Sequence, residues 1–129
     1  MNHVKVEVLL GKTLTKIVNV DNDKLIFETS DGNIYKMYHE QDCCEYVSIE
    51  EIIGDLNDLL GEPLLMAEEI VKYGDNEIIS ETFTFYKFAT IKGYVTIRWY
   101  GSSNGYYSET VDFVHMLDYS GGDVYGIHN

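Results

Sequence analysis

The chain has one proline, Pro63, and nine basic side chains against twenty-two acidic ones. It has no apolar run approaching the roughly 18 residues that a membrane-spanning helix needs. Each scarcity excludes something. So little proline and a 45% hydrophobic composition exclude a disordered or proline-rich linker profile. A net charge of −13 counts against duplex DNA, RNA or anionic membranes as partners, because counterion release needs a basic face. The N-terminal residues lack the basic start and apolar run of a secretory signal, so none is expected. The two cysteines, Cys43 and Cys44, are neighbours. Neighbouring cysteines pair only under strain, so no disulfide framework is expected and a reducing compartment fits.

What the chain does have is tyrosine, eleven of them, in a length that suits a single domain over residues 1–129. Residues 82–113 are the most informative stretch. With period 2, Val95, Ile97 and Trp99 share one face of a strand while Tyr94, Thr96, Arg98 and Tyr100 share the other. The first is a core face. The second is aromatic and carries a cation, which suits a ligand or a second subunit equally well. Strands are predicted over 82–90, 93–101 and 105–114, with a hairpin turn at 101–105. That turn lacks the Gly-Lys-Ser/Thr ending of a phosphate-cradling loop.

Earlier in the chain, Val4, Val6, Val8 and Leu10 read as an opening strand. Residues 13–20 read as a second strand whose buried face is ambiguous. Residues 24–29 and 33–39 flank Asp31-Gly32 as a hairpin. Residues 64–73 are read as a strand that puts Glu68 and Glu69 near an exposed edge or a bulge. One principal helix is predicted at about 48–60. Ser48 and Glu51 match a capping box, Ile49, Ile52, Ile53, Leu56, Leu59 and Leu60 recur at helical spacing, and Gly61 with Pro63 closes it. The expected fold class is α+β, mainly antiparallel β-sheet with that helix. Residues 115–129 form a tail, flexible or interface-forming.

Candidate chemistry is thin. His39, Asp42, Cys43, Cys44 and Glu45 lie within seven residues. Adjacent cysteines do not readily share one tetrahedral zinc, and an acidic neighbourhood disfavours a thiolate. A structural role is the reading there, with no metal and no cofactor. Glu50, Glu51, Asp55, Asp58 and Glu62 read as the solvated side of the helix. No catalytic motif is present, and the chain is not expected to be an enzyme. The candidate ligand set is Lys92, Tyr94, Thr96, Arg98, Tyr100, Asn104 and Tyr106. Tyrosines would stack on bases, Arg98 would fork onto phosphate oxygens and Asn104 would read a base edge. Such a site needs basic side chains to converge, and Lys36, Lys87, Lys92 and Arg98 are the ones within reach.

The strings DCCE-x-V-x-IEEIIGDLNDLLG-x-P-x-LMAEE and TFYKFATIKGYVTIRWYGSSNGYYSE-x-VDF, in that order over residues 36–113, resemble a family of small tailed-phage proteins of undescribed function. The resemblance implies a phage-encoded, non-virion accessory protein in the host cytoplasm. Small β-rich phage oligomers of that niche include the anti-CBASS and anti-Thoeris sponges. By that analogy the expected function is immune evasion, with the chain as a homo-oligomer that sequesters a cyclic oligonucleotide or ADP-ribose-derived signal without cleaving it. The alternatives are an acidic inhibitor of a host protein and a small hydrolase using the Cys43/His39 region.

Overall fold

A computed structural model describes residues 2–116 of the chain. Nine strands run in order: β1 (Asn2–His3), β2 (Leu14–Val20), β3 (Lys24–Thr29), β4 (Ile34–Tyr38), β5 (Tyr46–Ile53), β6 (Met66–Tyr73), β7 (Ser80–Thr90), β8 (Gly93–Ser103) and β9 (Asp112–His115). All strand neighbours pair antiparallel, in a five-stranded sheet β1-β9-β4-β3-β2 and a four-stranded sheet β5-β8-β7-β6. Their inner faces meet in one apolar core. Phe27 of the first sheet lies with its ring centroid 5.8 Å from that of Phe88 in the second. Trp99 is fully buried, and its indole Nε1 donates to Met37 Sδ at 3.3 Å, so the ring enters the core without orphaning its N–H.

The predicted helix at 48–60 is not there, and with it falls the α+β class. Among the described residues the helical elements are two four-residue 3₁₀ turns, Val6–Leu9 and Leu56–Leu59. Residues 46–53 are strand β5. Its pairing with β8 shifts between Ile49 and Glu51, the mark of a β-bulge, so Glu50 is an extra residue. Val47, Ile49 and Ile52 therefore all face inward, opposite Gly101, Trp99 and Ile97. The spacing of three between Ile49 and Ile52, which imitates a helix, is made by the bulge. The capping box does not form. Ser48 Oγ donates instead to the Tyr46 hydroxyl at 2.7 Å. Gly54 ends the strand at φ +107°, where an added Cβ would lie 2.5 Å from the Tyr94 carbonyl oxygen. Only glycine fits that crossing.

Two other boundaries move for similar reasons. The opening strand read through Val4, Val6, Val8 and Leu10 does not form, and β1 is only Asn2–His3 ahead of it. Val6 and Leu9 are instead buried three residues apart on a 3₁₀ turn, while Val8 and Leu10 are exposed. In β2 the register shifts between Leu14 and Lys16, so Leu14 and Ile17 both turn to the core across a bulge at Thr15. The strand read over 105–114 is only Asp112–His115. The loop before it is tied to the sheet end by buried Glu109, which accepts from Thr82 Oγ1 at 2.7 Å and Ser103 Oγ at 2.5 Å. Residues 24–29, 82–90 and 93–101 are strands as read, and the strand read over 64–73 begins at Met66. Cys43 and Cys44 are joined as a vicinal disulfide, contrary to the expectation of unpaired cysteines. The proposed tail lies outside the described residues apart from His115 and Met116. No helix among the described residues is long and apolar enough to cross a membrane.

Candidate functional site

The outer face of the four-stranded sheet is where the sequence signals collect. The alternation in β8 holds without interruption. Val95, Ile97 and Trp99 are buried, Tyr94 is 74% exposed, and Thr96, Arg98 and Tyr100 are half-buried on the outer side. Register places Phe85 beside Arg98 and Phe83 beside Tyr100 on β7, with Ile70 and Lys72 beyond them on β6. On the other side, Glu51 lies opposite Arg98 and Ser48 opposite Tyr100. The rings make a stripe across the strands. Tyr100 is 6.4 Å centroid to centroid from Tyr46 and 5.3 Å from Phe83, and Lys72 Nζ lies 6.0 Å from the Phe85 ring. The Tyr100 hydroxyl donates to Glu81, and that bond, followed by desolvation, raises its pKa above the usual phenol value.

Arg98 is already engaged. Its Nε lies 2.8 Å from Glu50 Oε1 and its Nη2 lies 3.0 Å from Glu51 Oε1. The Nε contact is a charge contact only: that N–H is buried and is not aligned on an acceptor. The bulge puts both carboxylates within reach of one guanidinium. A helix over 48–60 puts Glu50 and Glu51 on its solvated side, away from Arg98, so the sequence reading does not pair them. Tyr46-Val-Ser-Ile, rich in strand formers, and Gly54 in the middle of the predicted helix were the available signals.

The seven predicted ligand residues do not form one site. Lys92 and Tyr94 stand at the β7–β8 turn, where Lys92 Nζ donates to Asn57 O at 3.5 Å. Asn104 and Tyr106 stand past the other end of β8, where Asn104 Oδ1 accepts from Tyr106 N at 3.0 Å. Roughly 30 Å of extended strand separates these ends, at about 3.3 Å per residue. Thr96, Arg98 and Tyr100 lie between them. The basic side chains do not converge either. Lys36 belongs to β4 in the other sheet, with Nζ 4.1 Å over the Tyr38 ring. Lys87 lies opposite Glu68.

The segment 39–45 is folded around a buried carboxylate. Glu45 accepts from Asp42 N at 2.8 Å and Cys43 N at 3.0 Å, and its Oε2 lies 2.6 Å from His39 Nε2. The Cys43 amide and the His39 ring lower its pKa to about 2. The other nitrogen, Nδ1, lies 2.7 Å from Thr110 O. Both ring nitrogens face acceptors, so neither is directed at a cysteine. Among the described residues, no three His, Cys, Asp or Glu side chains are grouped to hold a metal. A cleft of about 340 Å³ opens at the seam of the two sheets, with His3, Lys5, Glu7, Glu69 and Asp112 among its lining residues.

Fold and face together define a two-sheet antiparallel β-sandwich with an aromatic, charge-paired outer surface. The chain belongs to the DUF7448 family, a domain of unknown function, whose model matches residues 7–113. No curated protein and no solved structure matches it.

Proposed function

We propose that this chain is a protein-binding module that uses the outer face of the β5-β8-β7-β6 sheet to hold a partner with a basic, partly apolar surface. The observation that carries this reading is the Tyr46–Tyr100–Phe83 ring stripe, flanked by Glu50, Glu51 and Glu81 on a chain of net charge −13. Aromatic rings with a polar rim are what the centres of protein interfaces are enriched in, and the surplus of carboxylates favours a cationic partner. Arg98 then acts as an internal tie that holds the carboxylates in place. In a phage-encoded protein such a surface would serve immune evasion by blocking a host protein.

The second reading is sequestration of a cyclic oligonucleotide or ADP-ribose-derived signal. The exposed rings of Tyr94 and Tyr106 favour it, since each offers an open stacking face. The engagement of Arg98 by two carboxylates makes it the weaker of the two.

One experiment separates them. A photo-crosslinking residue is placed at Tyr46, at Phe83 and, as control, at Asn19 on β2. The protein captured is then purified and titrated against the unmodified chain. Capture from positions 46 and 83 but not 19, with affinity falling about tenfold or more for Phe83→Ser and falling with added salt, supports the module. Equal capture from all three positions overturns it. So does a thermal shift with a cyclic di- or trinucleotide that Tyr94→Ala abolishes, which would establish the second reading.

A further inference from the structure

Four strands end the two sheets, and three of them carry features that discourage further pairing. β1 is two residues long, β2 is bulged between Leu14 and Lys16, and β5 is bulged between Ile49 and Glu51. Shortness and bulges are two ways in which natural sheets spoil an edge, and charged side chains are a third. β6 has neither of the first two, and its charges, Glu68, Glu69 and Lys72, are of both signs. Its eight residues pair with β7 in unbroken register from Met66↔Ala89 to Tyr73↔Thr82, without proline or bulge. Its other edge has no strand neighbour among the described residues. Over 68–73 every residue is exposed except Ile70, which is half-buried, and Tyr73 is 78% exposed.

We propose that β6 pairs antiparallel with the β6 of a second copy of this chain, about a two-fold axis through Ile70. The strand's own charge pattern selects that occupant. Pairing centred on Ile70 sets each Glu68 directly opposite the second copy's Lys72, on the same outer face, with Ile70 against Ile70 between them. The opposed charges complete a row that begins inside the chain, where Lys87 lies opposite Glu68. Sliding the pair by two residues puts Glu68 opposite Gly74 or Ile70 and loses both ion pairs. Sliding it by one turns an outer face against an inner one. The charges therefore specify a single register. The result is one continuous eight-stranded sheet with the aromatic stripes of both copies on the same side. This proposal is independent of what that face binds.

Charge swapping on the full chain tests it, with mass read by analytical ultracentrifugation at micromolar concentrations and folding checked by circular dichroism. The wild type is expected at twice the chain mass. Glu68→Lys sets lysine opposite lysine and Lys72→Glu sets glutamate opposite glutamate, and each is expected to raise the dimer dissociation constant about tenfold or more. An equimolar mixture of the two is expected to re-form dimers containing one of each, and Glu68→Lys combined with Lys72→Glu in one chain is expected to dimerise by itself. The combined variant keeps the test decisive if a single substitution fails to fold. A wild type that stays monomeric, single variants that dimerise as well as wild type, or a mixture that does not associate would each overturn the proposal.

Discussion

β5 and β8 are neighbours in one sheet, share a ladder and bury the same core, yet they are built differently. β8 alternates strictly for eleven residues, and every second side chain from Val95 to Trp99 enters the core. β5 alternates up to Ile49, spends one extra residue at Glu50, and resumes at Ile52. The regular strand supplies Tyr94, Tyr100 and Arg98 to the outer face. The bulged strand supplies two adjacent carboxylates where an unbroken strand could have offered only one. A bulge costs one ladder position and here yields a guanidinium held from two sides. The comparison also explains why β5 stops where it does. Gly54 turns the chain away at φ +107°, directly against the β8 backbone at Tyr94.

That crossing gives the largest expected effect. Gly54→Ala forces an alanine into a conformation with positive φ and sets its Cβ 2.5 Å from the Tyr94 carbonyl oxygen, a backbone atom that has nowhere to retreat. The expected loss is about 2–4 kcal/mol in urea unfolding, the sum of backbone strain and displacement. A variant as stable as the wild type would mean that β5 does not end against β8 in this way.

β8 was legible in the sequence and β5 was not, and the reasons are physical. Strict period 2 in residues 94–100 has one structural meaning, so β8 and its two faces could be read directly. The Asp31-Gly32 turn fixed the β3–β4 hairpin in the same way. In β5 the bulge stretched an inward pair to a spacing of three, and Leu56, Leu59 and Leu60 on the following 3₁₀ turn extended the imitation of a helix. The same device at Thr15 hid the buried face of β2. The aromatic half of the candidate face was therefore visible, while its carboxylate half was not. Glu109 had no local signal, because it reaches Thr82, 27 residues away; His39 and Glu45 stand six apart and were grouped by the sequence, but the contact of the His39 ring with Thr110, 71 residues away, was not visible.

The start of β5 provides the second way to test the contrast. β8 begins from a tight turn, whereas β5 is entered through a segment wrapped around the Glu45 carboxylate. The folded chain holds that carboxyl at about 2, against an ordinary value of 4.5. The depressed value means the carboxylate contributes its full stability above about pH 4.5, and the contribution is lost as pH falls from there towards 2. Glu45→Gln should be less stable than wild type at pH 7, with the gap closing as the pH drops through that window. A constant gap from pH 7 to pH 2.5, followed by thermal unfolding, would mean the carboxylate is no better stabilised in the fold than in the unfolded chain.

The smallest expected effect lies where the two strands meet. Arg98 is 34% exposed and its partners Glu50 and Glu51 are 41% and 49% exposed, so solvent screens the triad. Exposed ion pairs contribute roughly 0–1 kcal/mol. Arg98→Ala should cost no more than about 1 kcal/mol, part of it from lost packing of the side-chain stem beside Phe85. The informative quantity is the coupling energy. A double-mutant cycle of Arg98→Ala with Glu50→Gln and Glu51→Gln together should give about 0.5–1 kcal/mol, decreasing with added salt. A coupling of zero would mean that the guanidinium is not held by β5 in solution. Arg98 would then be free to meet an anion, and the balance between the two proposed uses of this face would shift from a basic protein towards a nucleotide.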